Sequence, residues 1–463
     1  MGPSQTIAAI ATPPGQGGVG ILRVSGDGAL SVLRRLVPDW PDETPSHLLR
    51  LSRIVDPHGD LIDEALAVIM KGPRSFTGED VVELQCHGGP IILRRVLDAA
   101  LAAGARVAEP GEFTRRAFLN GRLDLTQAEA VADLINATSE SAHKLALEHL
   151  QGTLGDKVAH LVEELTTALV LVEAAIDFSH EEHVYQIEAA EVGRRVDEVT
   201  AALRDLKAKF DQGRRQREGV RVVILGPTNA GKSTLFNALH GTDRAIVTDV
   251  AGTTRDFLEE ELLIGGAALR LVDTAGLRRT TDTVESIGIA RSRELAGLAD
   301  LILWVVDGSQ PLDDETRREL SALSESGQSR TEDVVVLLNK ADLPAGITDA
   351  DRELLENFSK VHRTALGATP PVGLDSLIQR LVTEAERLTS GEGVLLSRAR
   401  HLQGVTQGLE ALARVREALD LEMEHELLAI DLREALDALG AITGRVSTDD
   451  VLARIFSEFC VGK

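Results

Sequence analysis

Cysteine is nearly absent from this 463-residue chain, which has only Cys86 and Cys460. That excludes a disulfide-stapled scaffold and a cysteine-built zinc module. It fits a reducing compartment, so a cytoplasmic protein is expected. Aromatic residues make up 3%, with one Tyr and two Trp, which leaves little from which to build a broad stacking platform for single-stranded nucleic acid. Basic residues are in deficit: 49 Lys and Arg stand against 73 Asp and Glu, a net charge of −24. A uniformly basic nucleic-acid coat is excluded, but a local patch is not. No apolar run reaches the ~18 residues of a membrane helix. Met1 to Gly15 lack the basic-then-apolar order of a secretory leader, so no membrane association is expected.

What is present is enough apolar material for a sizeable core. Apolar residues are 43% of the chain, and a soft measure of ~150 residues per domain gives about three domains. The acidity is uneven. Residues 1–122 hold 13 Lys/Arg and 14 Asp/Glu, a net of −1, which leaves −23 for the remainder. The N-terminal quarter is thus where an anionic partner is least repelled. Arg94, Arg95, Arg115, Arg116 and Arg122 form the candidate patch there.

Three textures occur along the chain. Residues 1–120 mix short apolar runs with Gly and Pro. Gly20 to Val24 and Asp80 to Leu84 read as strands, Ile91 to Ala102 as a helix, together an α+β domain. From Asp124 the period turns helical. Leu154, Val158, Leu161, Leu165, Leu169, Val172 and Ile176 recur at steps of three and four and share one helix face. Residues 187–212 read as helix. The period returns in Leu402, Val405, Leu409, Leu412, Val415 and Leu419, then in Leu432, Leu436 and Leu439. Between these stretches lie near-continuous apolar strands: Val220 to Leu225, Leu269 to Val272, Leu301 to Val306 and Val334 to Leu338. Such strands alternating with helices predict a doubly wound parallel sheet. The expected fold class is multidomain α/β and α. An N-terminal α+β domain (1–120) precedes a discontinuous helical domain (121–215 and 385–463), into which an α/β domain (216–384) is inserted.

Gly226-Pro-Thr-Asn-Ala-Gly-Lys-Ser233 matches G-x-x-x-x-G-K-[ST] between a strand and a helical pattern, the context this phosphate loop requires. Glycines let backbone N–H groups point at phosphate oxygens. Lys232 is expected to reach the β- and γ-phosphates and Ser233 to bind Mg²⁺. Asp273-Thr-Ala-Gly276 follows the second strand; its Asp holds Mg²⁺ through water and its Gly N–H senses the γ-phosphate. Asn339-Lys-Ala-Asp342 follows the fourth. A carboxylate at Asp342 accepts two hydrogen bonds from guanine, whereas adenine offers no such donor pair. All three elements lie just after strands, where doubly wound sheets bind ligands. The inserted domain is therefore expected to be a P-loop (Ras-like) GTP-binding domain. Thr254, between the first two elements, suits a second Mg²⁺ ligand. Leu277 stands where Ras-like GTPases carry a water-orienting glutamine, so another group must orient water. Glu285, Asp282 and Glu294 are equal on spacing, and Arg255 is a candidate arginine finger.

The termini narrow the choice. The relevant stretches are Ala11-Thr-Pro-Pro-Gly-Gln-Gly-Gly-Val-Gly-Ile-Leu-Arg23, Ser75-Phe-Thr-Gly-Glu-Asp80, Gln85-Cys-His-Gly-Gly-Pro90, Pro110-Gly-Glu-Phe-Thr-Arg-Arg-Ala-Phe-Leu-Asn-Gly-Arg122 and Phe459-Cys-Val-Gly-Lys463. In sequence and order they resemble the MnmE (TrmE) family of tRNA-modification GTPases, over essentially the whole chain. The resemblance implies a homodimer built through the N-terminal domains. It also implies a flavoprotein partner, MnmG (GidA), which carries FAD and uses NADH. Together the pair adds an aminomethyl or 5-carboxymethylaminomethyl group to the wobble uridine of certain tRNAs. A folate, 5-formyltetrahydrofolate or methylene-tetrahydrofolate, is implied as one-carbon donor. Its binding positions match Arg23, Glu83, Arg122 and Lys463.

For the GTP site, the resemblance implies contacts from Asn229, Ala230, Gly231, Lys232, Ser233 and Thr234. A second group is Thr248, Asp249, Val250, Ala251, Gly252, Thr253 and Thr254. Asp273, Thr274, Ala275, Gly276, Asn339, Lys340, Ala341, Asp342, Thr364, Ala365 and Leu366 complete the set. The resemblance also implies a potassium ion in place of an arginine finger, at positions matching Asn229, Thr248, Val250 and Thr253, with Glu285 matching the water-positioning glutamate. Hydrolysis would drive G-domain dimerisation and rearrangement. Thr364-Ala365-Leu366 departs from the family's Ser-Ala-Lys or Ser-Ala-Arg, with the Ala365 N–H left to meet the guanine carbonyl. His180 and His183 lack further ligands at metal spacing and read as a solvated face. Cys86 is expected to pack in a buried turn, and Cys460 to lie near the folate as a candidate for chemistry.

Overall fold

Period-two alternation in the first hundred residues builds a sheet with one face in a continuous apolar core, while a smaller cluster of Ile7, Ala9, Ala108 and Phe113 covers part of the other. The computed structural model describes residues 5–177, 182–241, 246–247, 259–272, 297, 299–325, 332–391, 393–446, 448–457 and 459–462. The chain divides into two units, one of Met1–Ile135, Leu147–Arg204 and Gln403–Lys463, the other of Asn136–Ala146 and Asp205–Leu402.

In the first unit, β1 (Ile7–Ile10), β2 (Gly17–Ser25), α1 (Ala29–Leu36), β3 (Arg50–Val55), β4 (Leu61–Met70), β5 (Val81–Gly88), α2 (Pro90–Ala102), β6 (Arg106–Val107) and α3 (Glu112–Leu119) come in that order. The sheet order is β3-β4-β5-β2-β1-β6. Leu22, Val24, Leu84, Cys86, Ala65 and Ala67 point to the side covered by α1 and α2 and share one core with Val32, Leu33 and Val96. The register then fixes the other face. Arg23 lies opposite Glu83, and Glu83 opposite Val68; Leu51 lies opposite Leu66, Leu66 opposite Gln85, and Gln85 opposite Ile21. Directly paired residues share a face, so these form two adjacent rows.

The helical stretches of this unit follow the predicted periods. Thr153–Asp177 buries Leu154, Val158, Leu161, Leu165 and Val172, but Ala168 and Ala175 are more deeply buried than Leu169 and Ile176. From Leu154 to Ala175 the buried seam steps by four and three in strict alternation, the 3.5-residue period of helices packed side by side, whereas the predicted steps drift off that seam after Leu165. Residues 187–212, read as one helix, fall in two: Glu182–Ala208, most of which belongs to this unit, and Phe210–Glu218, which belongs to the other.

In the second unit, β7 (Val220–Leu225), β8 (Ile246–Val247), β9 (Glu259–Ile264), β10 (Ala267–Val272), β11 (Leu301–Asp307), β12 (Val334–Asn339) and β13 (Val361–Arg363) form a seven-stranded sheet. The order is β13-β12-β11-β7-β10-β9-β8. The five strands from β13 to β10 run parallel, as predicted, while β9 and β8 add an antiparallel edge that the sequence reading missed. Apolar clusters cover both faces, the reason these strands read as continuous apolar runs. The chain leaves β7 toward β10 and returns to β11 on the other side. This switch point opens a crevice at the strand C-termini.

At the opposite end of these strands, the buried Asp300 gathers Arg214 Nη2 at 2.6 Å, Arg215 Nε at 2.8 Å and the Arg221 N–H at 3.0 Å. Burial opposes ionisation of Asp300, but the arginine and backbone hydrogen bonds outweigh it and hold the carboxyl below its usual range. Among the described residues, no helix is long and apolar enough to cross a membrane.

Candidate functional site

The phosphate loop leaves β7 at Gly226 (φ +132°) and enters the helix Lys232–His240 through Gly231 (φ +106°). Neither position has room for a side chain. A Cβ on Gly226 would lie 2.0 Å from the Val305 carbonyl oxygen, and one on Gly231 would lie 2.2 Å from Asn339 Nδ2. Asn229 also takes a positive φ, +60°. Asn229, Ser233 and Thr234 are exposed, while Ala230 is buried beneath them. Lys232 Nζ donates to the carbonyls of Gly226 at 2.8 Å and Pro227 at 2.6 Å, so its ammonium is held over the loop.

Asn339 ties three loops together. Its Nδ2 donates to the Ala230 carbonyl at 2.9 Å, and its Oδ1 accepts from the Leu366 N–H at 3.2 Å and the Thr364 hydroxyl at 3.3 Å. Asn339 is buried, so these bonds replace lost water rather than compete with it. Lys340, with φ +61°, turns its ammonium to Asp307 Oδ2 at 2.6 Å. Burial opposes ionisation of Asp307, but bonds from Lys340 and from both the hydroxyl and N–H of Ser309 outweigh it and hold the carboxyl below its usual range. Asp342 is exposed at the mouth of this loop, where its carboxylate is open to a base edge.

Sequence reasoning missed Asp307 and Ser309. The available signal was an aspartate ending an apolar strand just ahead of a glycine; its pairing opposite Asn339 on the neighbouring strand was visible only in the structure. The Ala365 expectation needs correction: its N–H donates to the Val372 carbonyl at 3.0 Å and is already committed in this structure. Leu366 turns into the core, which explains how the position tolerates the loss of a basic side chain. Thr248, Asp249, Val250, Ala251, Gly252, Thr253, Thr254, Asp273, Thr274, Ala275, Gly276, Glu285 and Lys463 lie outside the described residues, as do Arg255, Leu277 and His180. Of the residues expected to hold Mg²⁺ and K⁺, Ser233 and Asn229 are therefore described. Both are exposed oxygen donors at the mouth of the phosphate loop, a fit for hard cations.

A second constellation lies in the first unit. Strand pairing sets Arg23 against Glu83, and Arg23 Nε and Nη2 both meet Glu83 Oε1 at 2.9 Å. The guanidinium carbon sits 5.9 Å from the Phe76 ring centre and 5.8 Å from that of Phe113, within cation–π range. Neither aromatic was flagged by the sequence. The remaining amine, Nη1, donates to the Gly462 carbonyl at 3.2 Å. The C-terminal tail is thus seated here: Val461 bridges to Pro110, and the Gly111 N–H donates to the Cys460 carbonyl at 3.4 Å. Arg122 is exposed, and its Nε donates to the Ser75 carbonyl at 3.2 Å beside Phe76. Cationic, anionic and aromatic groups on one face are the donor set an aromatic ligand with carboxylates needs, so these residues fit a folate.

Two other expectations change. Cys86 lies within β5, not in a turn, and packs in the core as expected of it; burial, with Asp63 adding to it, pushes its thiol up to about 12. Arg116 does not belong to an open basic patch. It is largely buried, bonded to Glu79 at 3.0 Å, Glu112 at 2.9 Å and the Gln5 carbonyl at 2.7 Å.

Comparison with known proteins agrees with this geometry. The family described as "GTP-binding protein TrmE N-terminus" matches residues 6–122, and the "MnmE helical domain" matches 125–460. A protein of Syntrophotalea carbinolica named "tRNA modification GTPase MnmE" is 45% identical over 99% of both chains. One of the same name from Geobacter metallireducens is 44% identical over 99% of both. A third, from Aquifex aeolicus, is 43% identical over 99% of this chain and 100% of its own.

Proposed function

The chain belongs to the MnmE family of tRNA modification GTPases, and on that premise we propose that it binds and hydrolyses GTP in the service of tRNA modification. The observation that carries this reading is Asn339, which joins the phosphate loop to both base-side loops through one buried amide. Guanine recognition at Asp342 and phosphate binding at Gly226 to Ser233 then form one rigid frame.

Lys232 changes partners when phosphate arrives, exchanging two neutral carbonyls for anionic oxygens and gaining charge-assisted bonds. Mg²⁺ held through Ser233 and Thr254 would neutralise phosphate charge. Glu285 orients the attacking water in place of the glutamine that Leu277 replaces. Asn229, Thr248, Val250 and Thr253 would hold potassium, whose charge would serve where other GTPases use an arginine.

In the first unit we assign Arg23, Glu83, Arg122 and Lys463 to a folate, 5-formyltetrahydrofolate or methylene-tetrahydrofolate, as one-carbon donor. The row beside them supports a homodimer through the N-terminal domains. Leu51 is 70% exposed and Leu66 39% exposed on that same sheet face, apolar area that a second copy would cover. The flavoprotein MnmG, with FAD and NADH, is the proposed partner in placing an aminomethyl or 5-carboxymethylaminomethyl group on a wobble uridine. The site of action is cytoplasmic.

The central test is base specificity. Asp342→Asn reverses the hydrogen-bond polarity presented to guanine. GTP hydrolysis is expected to fall at least 100-fold while xanthosine triphosphate becomes a substrate. Equal hydrolysis of ATP and GTP by the wild-type chain would overturn the reading. Potassium is tested by comparing rates in potassium and sodium at dimer-forming concentrations, where equal rates remove it. The folate is tested by titrating 5-formyltetrahydrofolate calorimetrically, with Arg23→Ala as control.

A further inference from the structure

β13 is a three-residue strand at the edge of its sheet. Between it and the helix Asp349–Glu356 lies a cleft of about 740 Å³, within the ~300–1,000 Å³ range of small-molecule sites. Its floor is apolar, formed by Leu338, Ile347, Leu355 and Phe358. At its mouth, Leu343 and Val361 are 49% and 39% exposed. These aliphatic side chains are left in water at a concave site, where an apolar ligand would release that water. Arg352 and Arg363 stand on the rim against a single carboxylate, Glu356. Arg352 is engaged by Asp349 at 2.9 Å, whereas Arg363 has no ion-pair partner among the described residues.

We propose that this cleft binds a small anionic amphiphile: an apolar body of about ten carbons carrying one carboxylate, sulfonate or phosphate. The body covers Leu343 and Val361 on the apolar floor, and the anion meets Arg363. Each half of the ligand answers a feature the other cannot. A hydrocarbon leaves the guanidinium unpaired, and a bare anion leaves the floor wet.

The cleft also reaches the guanine loop. Gly308 and Ala341 line it. The Ala341 N–H donates to the Thr364 carbonyl at 3.0 Å, and the Gly346 N–H to the Gly308 carbonyl at 3.0 Å. Occupancy therefore alters the release of bound nucleotide. This coupling rests on the guanine-nucleotide reading above; the binding site itself does not.

The test uses the full-length chain. The fluorescent sulfonate 8-anilinonaphthalene-1-sulfonate is titrated in, then displaced with decanoate. One saturable, decanoate-displaceable site is expected. Arg363→Glu should weaken both ligands at least tenfold. Val361→Trp, which fills the mouth, should remove the site. Both variants should keep wild-type circular dichroism and unliganded GTP hydrolysis. Decanoate should change the release rate of a fluorescent GDP analogue at least twofold in the wild type and not in Val361→Trp. Wild-type affinity in both variants overturns the site. Decanol displacing the probe as well as decanoate overturns the anion. Binding to phosphatidylglycerol vesicles without binding of decanoate overturns the free small ligand in favour of a membrane surface. An unchanged GDP release rate with decanoate bound overturns the coupling alone.

Discussion

The Arg23 guanidinium donates to the main-chain carbonyl of Gly462, 439 positions along the chain. The C-terminal tail is thereby part of the N-terminal site. Gly462 has φ +97°, and a Cβ there would lie 2.6 Å from the Ile10 carbonyl oxygen. Gly462→Val should therefore unseat the tail. Folate binding by calorimetry should fall at least tenfold while GTP affinity is unchanged. Retained folate affinity would show that the tail is dispensable for that ligand.

Asn339→Ala strands the Ala230 carbonyl and the Leu366 N–H, both bonded to its amide. Each unpaired buried group costs ~1–3 kcal/mol, so the nucleotide-binding unit should lose about 2–6 kcal/mol in urea denaturation. GTP affinity should fall with it. A variant that keeps wild-type stability would mean that water replaces the amide.

The two thiols should differ sharply toward a disulfide reagent. Cys460 is exposed, whereas Cys86 is buried with its thiol pushed up to about 12. Only the thiolate attacks. One fast equivalent is expected at pH 8 in the native chain and two in denaturant. Two fast equivalents in the native chain would contradict the packing of β5.

Acid should destabilise the first unit through Glu112. Burial opposes its ionisation, but Arg106, the Glu109 N–H and Arg116 outweigh it and hold the folded-state carboxyl below its ordinary value of 4.5. A lowered folded pKa means that the unfolded chain takes up the proton first. The stabilisation is therefore fully present above the ordinary glutamate range and is lost as pH falls through and below it. Glu112→Gln should be less stable at pH 7 and show a flatter decline between about pH 5 and pH 3. Parallel wild-type and variant curves would assign the acid lability elsewhere.

Much of the nucleotide site is local, and the sequence by itself determined it. Gly226 and Gly231 mark backbone that has no room for a side chain, and Asn339 to Asp342 follow a strand recognisable by its apolar run. Helical faces were legible for the same reason, because periodicity is a property of neighbouring residues. Tertiary structure alone decided what depends on long-range pairing. The register of β2 on β5 sets Arg23 against Glu83. The side-by-side ends of β11 and β12 give Lys340 its partner in Asp307. The burial of α3 takes Arg116 out of any open basic surface. A one-residue slip in a sheet turns every side chain to the other face, and composition does not encode which register forms. The tail's seat beside Arg23 is the extreme case, where one chain closure joins the two ends of the sequence.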